Sequence, residues 1–204
     1  MSEKLSNFWY YYKYHVLVGL VVILIAIPII ILAGGDTEPD IQIGYTTDGR
    51  QISEEAQEHV NKELQKDIQD VNDDGLKTLA FVPMMGQRVD VEFSTSGVQI
   101  MLIDGYNLQR FMERGAFEPL DELVKKFNID IAGADMIKAK LEGQSDEHIY
   151  ALPMKKIKYL LDLGFPPENY YLTVRVEYDN NKSSKTKNEN AYAVLEEMLK
   201  YKGQ

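Results

Sequence analysis

An uninterrupted apolar run near the start of the chain constrains its fold more than any other feature. Residues 16–32 read VLVGLVVILIAIPIIIL and contain no charged side chain. At a rise of about 1.5 Å per residue, this run and the small residues after it cover most of a hydrocarbon core about 30 Å thick. No face of the run is polar, which argues against a buried helix in a soluble core. We therefore predict a single-pass signal-anchor over residues 16–35, in contact with the lipid bilayer.

The flanks of the run predict its orientation. The segment 8-FWYYYKYH-15 combines aromatic rings with a lysine, as is typical of the headgroup interface. Lysines precede the run, and the first charges after it are acidic. By the positive-inside tendency, residues 1–15 lie in the cytoplasm and residues 36–204 form an extracellular domain at the cell membrane. A cleaved signal peptide is the alternative, because Ala33 and Gly34 offer a small-residue cleavage site.

Composition removes several function classes. The formal net charge is −10 and the pI is about 4.8, so the chain has no basic footprint for nucleic acid. The chain has no cysteine, which excludes disulfides, thiol catalysis and thiolate metal sites. Its histidines are scattered, and no catalytic, metal-binding or phosphate-binding motif accompanies them. We predict a protein that is not an enzyme and that uses neither a metal nor a cofactor.

Beyond the anchor, strand-like and helix-like segments alternate. Strand patterns occupy residues 40–47, 76–84, 98–103, 148–154 and 170–178. Helix patterns occupy residues 53–68, 106–114, 121–127, 155–163 and 189–201. Such alternation predicts an α/β fold, here a single three-layer lobe with a mostly parallel sheet, plus one N-terminal transmembrane helix.

Three local patterns give more specific predictions. Apolar residues alternate with polar ones within 83–97, which predicts a hairpin or an extended link in place of a crossover helix. Asp121 stands where a helix N-cap is expected. The polar segment 179-DNNKSSKTKNEN-190 is typical of an exposed loop.

The segment 70-DVNDDG-75 matches the first half of a calcium-binding loop, D-x-N-x-D-G. The twelfth position, which supplies a bidentate carboxylate in such loops, is Phe81. Asp-Gly pairs favour tight turns without any ion. We therefore interpret the segment as a structural turn.

Polar residues follow the first and third predicted strands. They are Thr46, Thr47 and Asp48 after the first, and Asp104, Tyr106 and Asn107 after the third. The carboxyl ends of parallel strands share one edge of a sheet, so we predict that these six residues form one ligand-binding rim. Carboxylates beside tyrosine and asparagine suit hydroxyl-rich or cationic ligands. The competing interpretation is that Asp104 or Asn107 caps a helix and Tyr106 packs in the core.

Three segments carry a resemblance to a known family, namely 40-DIQIGYTT-47, 98-VQIMLIDGYNLQRFMERGAFEPLDEL-123 and 148-HIYALPM-154. In this order they resemble the first lobe of the bacterial extracellular solute-binding proteins that serve ABC importers, the type II periplasmic-binding fold. The segment 8-FWYYYKYHVLVGL-20 also resembles N-terminal anchors of Firmicute membrane proteins. Family members carry a second lobe after the third segment. This chain has only residues 155–169 there, which are too few for an independent lobe.

The resemblance implies a reduced, single-lobe, membrane-anchored relative of these receptors. Such a protein is an extracytoplasmic, non-catalytic solute-binding-like module, accessory to an ABC importer, with an ABC permease or another membrane protein as its partner. The alternative is a protein–protein interaction or self-association domain at the cell surface, without a small-molecule ligand. A half-cleft favours this alternative, because it exposes surface that a partner can cover.

Overall fold

The computed structural model describes most of the chain, namely residues 3–33, 38–47, 51–95, 97–177, 179 and 181–203. The predicted rim residue Asp48 lies outside the described residues. The chain divides into two compact units, Met1–Glu38 and Pro39–Gln204.

A single helix, α1, runs over Glu3–Ala33 in the first unit. Its segment Phe8–Ile27, with a mean hydropathy of 1.7, is long and apolar enough to cross a membrane. A signal sequence near an N-terminus can meet the same criteria of length and apolar composition, so these two properties fit either an anchor or a signal sequence. The aromatic side chains before residue 16 pack along the helix, with the rings of Phe8 and Tyr12 stacked 5.1 Å apart.

A five-stranded sheet organises the second unit. The strands of this unit are β1 Ile41–Thr46, β2 Leu79–Met84, β3 Ile100–Asp104, β4 Lys138–Ala139, β5 His148–Ile149, β6 Leu152–Pro153 and β7 Tyr170–Val174. Five of them form the main sheet in the order β2-β1-β3-β7-β6, and β4 pairs with β5 separately. β1 is parallel to both β2 and β3, whereas β7 is antiparallel to β3 and β6. The predicted α/β fold with a mostly parallel sheet is confirmed, and only β7 runs against its neighbours in this sheet.

Helices pack on both faces of this sheet. They are α2 Glu54–Leu64, α3 Arg88–Ser94, α4 Gly105–Met112, α5 Asp121–Phe127, α6 Lys158–Asp162 and α7 Lys182–Lys200. Ile41, Ile43 and Tyr45 of β1 enter a first core, which α2, α5, α6 and α7 complete. Gly44 faces a second core, which α3 and α4 cover. A Cβ atom at Gly44 would lie 2.8 Å from a methyl group of Val98, so this face of β1 has no room for a side chain.

The connection from β2 to β3 contains a helix, so the prediction of a hairpin or extended link over 83–97 is wrong. β2 and β3 flank β1 on opposite sides and run parallel to it, so the chain between them has to cross over β1. Within α3, Val89 is buried but Val91 is 55% exposed, so the apolar alternation does not mark one buried face of a strand. Phe93 packs on Phe111, with ring centroids 3.5 Å apart.

A buried arginine fixes the end of this short helix. Arg175 Nη1 donates to Glu92 O at 2.9 Å, and Nη2 donates to Phe93 O at 2.8 Å. The guanidinium also bonds to Thr95 O. Carbonyl groups at a helix C-terminus carry partial negative charge, so a cation placed there stabilises the helix. A residue more than 80 positions away thus supports a helix that the local pattern does not predict.

The C-terminal helix begins earlier than its apolar pattern predicts. Residues 182–190 belong to α7, so the predicted exposed loop is wrong for that part of the segment. Asn181 caps the helix, since its Oδ1 accepts from Ser184 N at 2.8 Å. Buried Asn190 then holds the helix to Gln69, bonding to both its backbone N–H and its carbonyl, at 2.7 and 2.9 Å. This first part of α7 contacts the core at few positions, so most of its residues are polar. Its composition is therefore the same as that of a loop.

Three smaller corrections concern the region around β5 and β6. The N-cap of α5 is Leu120, so the prediction that Asp121 caps this helix is wrong. Asp121 Oδ2 instead lies 3.1 Å from His148 Nδ1 and links α5 to β5. The predicted strand over 148–154 is divided into β5 and β6, and the predicted helix over 155–163 into a 3-10 turn and α6.

The D-x-N-x-D-G segment satisfies its own backbone. Asp70 Oδ2 accepts from Gly75 N at 2.8 Å. The buried carboxylate of Asp40 holds the same loop at two further points, accepting from Val71 N at 2.6 Å and from Thr78 N at 2.7 Å. These bonds account for Asp70 and Asp40 as parts of a turn, because each of these two carboxylates receives at least one backbone N–H.

Candidate functional site

Two hollows adjoin at the carboxyl edge of β1. One, here called the charged rim, has a volume of about 400 Å³. It is lined by Thr46, Thr47, Met84, Gly86, Gln87, Val89, Asp90, Asp104, Tyr106, Asn107 and Arg110. The other, here called the aromatic hollow, has a volume of about 260 Å³. It is lined by Tyr45, Thr46, Thr47, Gln51, Ile52, Leu163, Gly164, Phe165, Pro166 and Tyr170.

The parallel strands bring the charged rim together. β1 ends at Thr46, β2 at Met84 and β3 at Asp104, all at the same edge of the sheet. Asp104 N donates to Thr46 Oγ1 at 3.2 Å, and Thr47 N donates to Met84 O at 3.2 Å. These bonds hold the ends of β1, β2 and β3 together at the rim.

Five of the six residues predicted for the rim line this one hollow. Thr46, Thr47, Asp104, Tyr106 and Asn107 all contribute to it. The sequence argument places them correctly at one edge because each follows a strand of the parallel set. Their role in ligand binding remains a prediction.

Helix capping explains part of this arrangement, and core packing does not. Asp104 is the N-cap of α4 and accepts from Asn107 N at 3.0 Å and from Asn107 Nδ2 at 2.7 Å. Tyr106, in contrast, is 73% exposed, so its ring is not a core residue. An exposed aromatic ring beside a helix N-terminus presents a face on which a ligand can stack.

Two charged residues of the rim, Asp90 and Arg110, are not predicted from the sequence. Arg110 Nη2 lies 3.1 Å from Asp90 Oδ1 and also donates to Asn107 Oδ1 at 3.1 Å. The same guanidinium lies 4.4 Å from the centre of the Phe111 ring, and its Nε is buried without a hydrogen-bond partner among the described residues. Arg110 follows Asn107 by three positions on α4, a spacing that does indicate one helix face. Asp90 gives no such signal, because its position depends on α3.

The aromatic hollow is built from residues far apart in sequence. The rings of Tyr45 and Phe165 meet edge to face with centroids 5.7 Å apart. The ring of Phe81 also lies against Phe165, with centroids 6.4 Å apart. Tyr170 Oη donates to Thr46 O at 3.3 Å and closes the side next to the rim. Sequence reasoning misses this hollow because the segment 163–170 has no pattern that relates it to β1.

Two histidines outside the hollows each lie beside a carboxylate. Among the residues that the structure describes, no group of three or more His, Cys, Asp or Glu side chains has the arrangement of a metal site. His59 lies 3.4 Å from Glu63 one turn along α2, and His148 pairs with Asp121. Neither histidine lines the charged rim or the aromatic hollow.

Comparisons with known proteins return only low similarity. No protein-family profile matches the sequence, and no curated protein matches it. Among solved structures, the N-glycan transport solute binding protein NgtS from Streptococcus pneumoniae is 22% identical over 57% of this chain, with a TM-score of 0.38. A sugar transporter from Rhizobium etli in an open conformation is 17% identical over 62% of this chain, with a TM-score of 0.36. The matches cover 25% and 34% of those two proteins, so this chain spans only a fraction of their length.

Proposed function

We propose that this chain is a membrane-anchored, extracytoplasmic solute-binding-like module that binds a small polar ligand at the charged rim and does no chemistry on it. Helix α1 is its anchor, with residues 1–15 in the cytoplasm and residues 36–204 outside. As an accessory to an ABC importer, the module would present its ligand to a permease in the same membrane. The assignment to transport follows the resemblance of residues 40–47, 98–123 and 148–154 to solute receptors.

The observation that carries the proposal is the composition of the charged rim. Asp90, Asp104 and Arg110 stand around one hollow, with the exposed ring of Tyr106 beside them. Most small-molecule sites are concave and combine a few convergent polar groups with apolar or aromatic surface. Among the described lining residues the two carboxylates outnumber the one guanidinium, so the rim favours a hydroxyl-rich or cationic ligand that stacks on Tyr106.

A thermal-shift panel on the full chain in lipid nanodiscs tests ligand binding. Sugars, amino acids, polyamines and short peptides are screened for an increase in the melting temperature of the lobe. A ligand at about 100 times its Kd stabilises the folded state by about 2.7 kcal/mol. We expect at least one such ligand, and we expect Tyr106→Ala to abolish its effect.

Leu76→Ala is the matched control for this experiment. Leu76 is also an exposed apolar side chain, but it precedes β2 and lies at the opposite end of that strand from the rim. Its replacement is expected to leave the ligand response intact. A panel without any response, or a response that survives Tyr106→Ala, contradicts the proposed site.

Single-cysteine labelling tests the orientation of the chain. The sequence has no cysteine, so Lys202→Cys and Lys4→Cys each introduce the only thiol. In intact cells, a membrane-impermeant maleimide is expected to label Lys202→Cys and to label Lys4→Cys only after permeabilisation. The reverse pattern contradicts an extracytoplasmic lobe. A shortened product that contains residue 202 but lacks residue 4 indicates a cleaved signal peptide.

A second candidate function is self-association or binding of another protein through the rim. Four exposed apolar side chains favour it, since they stand on the elements that form the rim or flank it, namely Met85, Val91, Tyr106 and Met136. Exposed apolar surface of this kind often marks an interaction site. Light scattering of the detergent-solubilised chain separates the candidates, because a dimer that Tyr106→Ala dissociates supports the interaction domain. A monomer with a ligand response supports the solute-binding module.

A further inference from the structure

The aromatic hollow differs from the rest of the carboxyl edge in having no charge among its described lining residues. Its walls are the rings of Tyr45, Phe165 and Tyr170 together with the aliphatic side chains of Ile52 and Leu163. The charged rim next to it contains two carboxylates and a guanidinium. A ligand group that enters the hollow therefore leaves water for described side chains that are neutral and mostly apolar.

The polar atoms of these aromatic walls already have partners within the protein. Tyr45 Oη accepts from Ile52 N at 3.3 Å, and Tyr170 Oη donates to Thr46 O at 3.3 Å. Hydroxyl-rich or charged groups of a ligand would lose hydrogen bonds to water here and regain few of them, which is costly. An apolar ring gains about 25 cal/mol for each Å² of surface that it removes from water.

The hollow is held open by side chains that the fold needs for its own core. Tyr45 and Phe165 are 4% and 8% exposed, and both belong to the first core. Both residues line the cavity, and their edge-to-face contact is an arrangement that a further flat ring can join. Because these walls are fixed by packing, a ligand orders few side chains when it binds.

The size of the hollow and its position next to the rim define what it can accept. About 260 Å³ corresponds to roughly eight or nine water molecules at about 30 Å³ each, which matches a six-membered ring with a small substituent. Thr46 and Thr47 line both the hollow and the charged rim. A ring in the hollow can therefore extend a substituent past these threonines toward the charged rim.

We infer that the aromatic hollow is the specificity-determining half of the ligand site and takes a neutral, planar aromatic ring. The inference rests on the proposed function in one respect, that the ring belongs to a ligand whose hydroxyl or ammonium groups meet the charged rim. The chemical class of ligand is then an aromatic ring that carries a hydroxyl-rich or cationic group.

Saturation-transfer NMR on the full chain in nanodiscs tests this inference with defined probes. The probes are benzamide, the saturated analogue cyclohexanecarboxamide and glucose, each measured against empty nanodiscs as the baseline for lipid partition. We expect benzamide to bind several-fold more tightly than cyclohexanecarboxamide because the aromatic walls favour a planar ring. We expect glucose not to compete with benzamide.

Gln51→Trp is the blocking variant. Gln51 is exposed, lies outside helices and strands, and lines the aromatic hollow but not the charged rim. Its replacement by an indole is expected to fill the mouth of the hollow and to weaken benzamide binding about tenfold, the loss of about 1.4 kcal/mol. The matched control is Gln109→Trp, an exposed position on α4 outside both hollows, which is expected to bind benzamide like the original chain.

The results separate the inference from the proposed function. Absence of benzamide binding, equal binding of the saturated analogue, or undiminished binding by Gln51→Trp overturns the inference. In each of those cases a ligand response that depends on Tyr106 still supports a solute site at the rim. If benzamide binds and Gln51→Trp blocks it while the ligand panel shows no response at the rim, the hollow stands as a ring-binding site and the proposed function fails.

Discussion

The charged rim and the aromatic hollow lie side by side and are built in different ways. The hollow takes its walls from the first core, where Tyr45 and Phe165 are almost fully buried. The rim lies over the second core, which supplies Met84 and Val89 to its lining, while the ring of Tyr106 stands at the surface. The fold therefore preserves the hollow whether or not a ligand binds, whereas the ring of Tyr106 can change without loss of the core.

The two regions also differ in how the backbone reaches them. The rim collects the ends of parallel strands, so each of its segments leaves the sheet in the same direction. The hollow needs the segment that precedes β7, which reaches this edge because β7 is antiparallel and pairs Tyr170 with Asp104. One reversed strand thus adds an apolar hollow to an otherwise polar edge.

The largest expected effect concerns the wall of the hollow. Phe165→Ala removes a ring that packs on Tyr45 and Phe81, so we expect the free energy of unfolding of the lobe to fall by about 3 kcal/mol. Phe165→Leu keeps most of the apolar volume and should cost about 1 kcal/mol. Thermal melts followed by circular dichroism measure both. A loss below about 1 kcal/mol for the alanine variant would show that the hollow is not part of the core.

A smaller effect is expected at Asp104, a rim residue with a clear structural role. Asp104→Ala removes the N-cap of α4 and should lower the free energy of unfolding by about 1 kcal/mol. Asp104→Asn is the control, because asparagine caps helices about as well as aspartate. If both variants lose equal stability, the carboxylate charge contributes more to the free energy of unfolding than the helix cap does. The rim then contributes more to folding than the exposure of Tyr106 indicates.

High pH should lower the stability of the lobe through two tyrosines that lie in the first core or pack against it. Burial raises the pKa of Tyr159 far above its usual range, assisted by its hydrogen bond to Glu63, and burial raises the pKa of Tyr192 to about 12. A raised pKa means that stability is complete below the unfolded value near 10 and is lost as the pH rises through the folded values. We therefore expect the melting temperature to fall from about pH 10 upward.

The variant Tyr159→Phe isolates this contribution. It removes the phenol that ionises in the unfolded chain, so its melting temperature should fall less steeply above pH 10 than that of the original chain. At pH 7 it should be slightly less stable, because the hydrogen bond from Tyr159 Oη to Glu63 Oε2, 3.0 Å long, is absent. If the melting temperatures of the two proteins fall equally steeply above pH 10, the loss of stability at high pH does not come from Tyr159.

The smallest expected effect on stability is at the ring of the rim. Tyr106 is 73% exposed, so Tyr106→Ala should change the free energy of unfolding by no more than about 0.5 kcal/mol. Chemical denaturation alongside Phe165→Ala gives the direct contrast between the two regions. A loss comparable with that of Phe165→Ala would mean that the ring of the rim contributes as much to the free energy of unfolding as the wall of the hollow does.

Sequence reasoning succeeds where the signal is local. The rim residues Thr46 and Asp104 are predictable because each ends a strand that its apolar residues predict. It fails for α3, since seven helical residues with Val91 exposed have no helical apolar stripe. The pair Asp90–Arg110 is lost together with that helix, because the two residues meet only when α3 crosses β1.

By itself the sequence determined the apolar N-terminal helix, the α/β class and one polar edge of the sheet, because each depends on residues within a few positions of one another. The tertiary structure alone decided the direction of β7, the crossover helix and the aromatic hollow. These depend on pairs such as Tyr45 with Phe165 and Thr46 with Tyr170. Contacts between residues more than 100 positions apart are selected by the packing of the whole sheet, and no local periodicity records them.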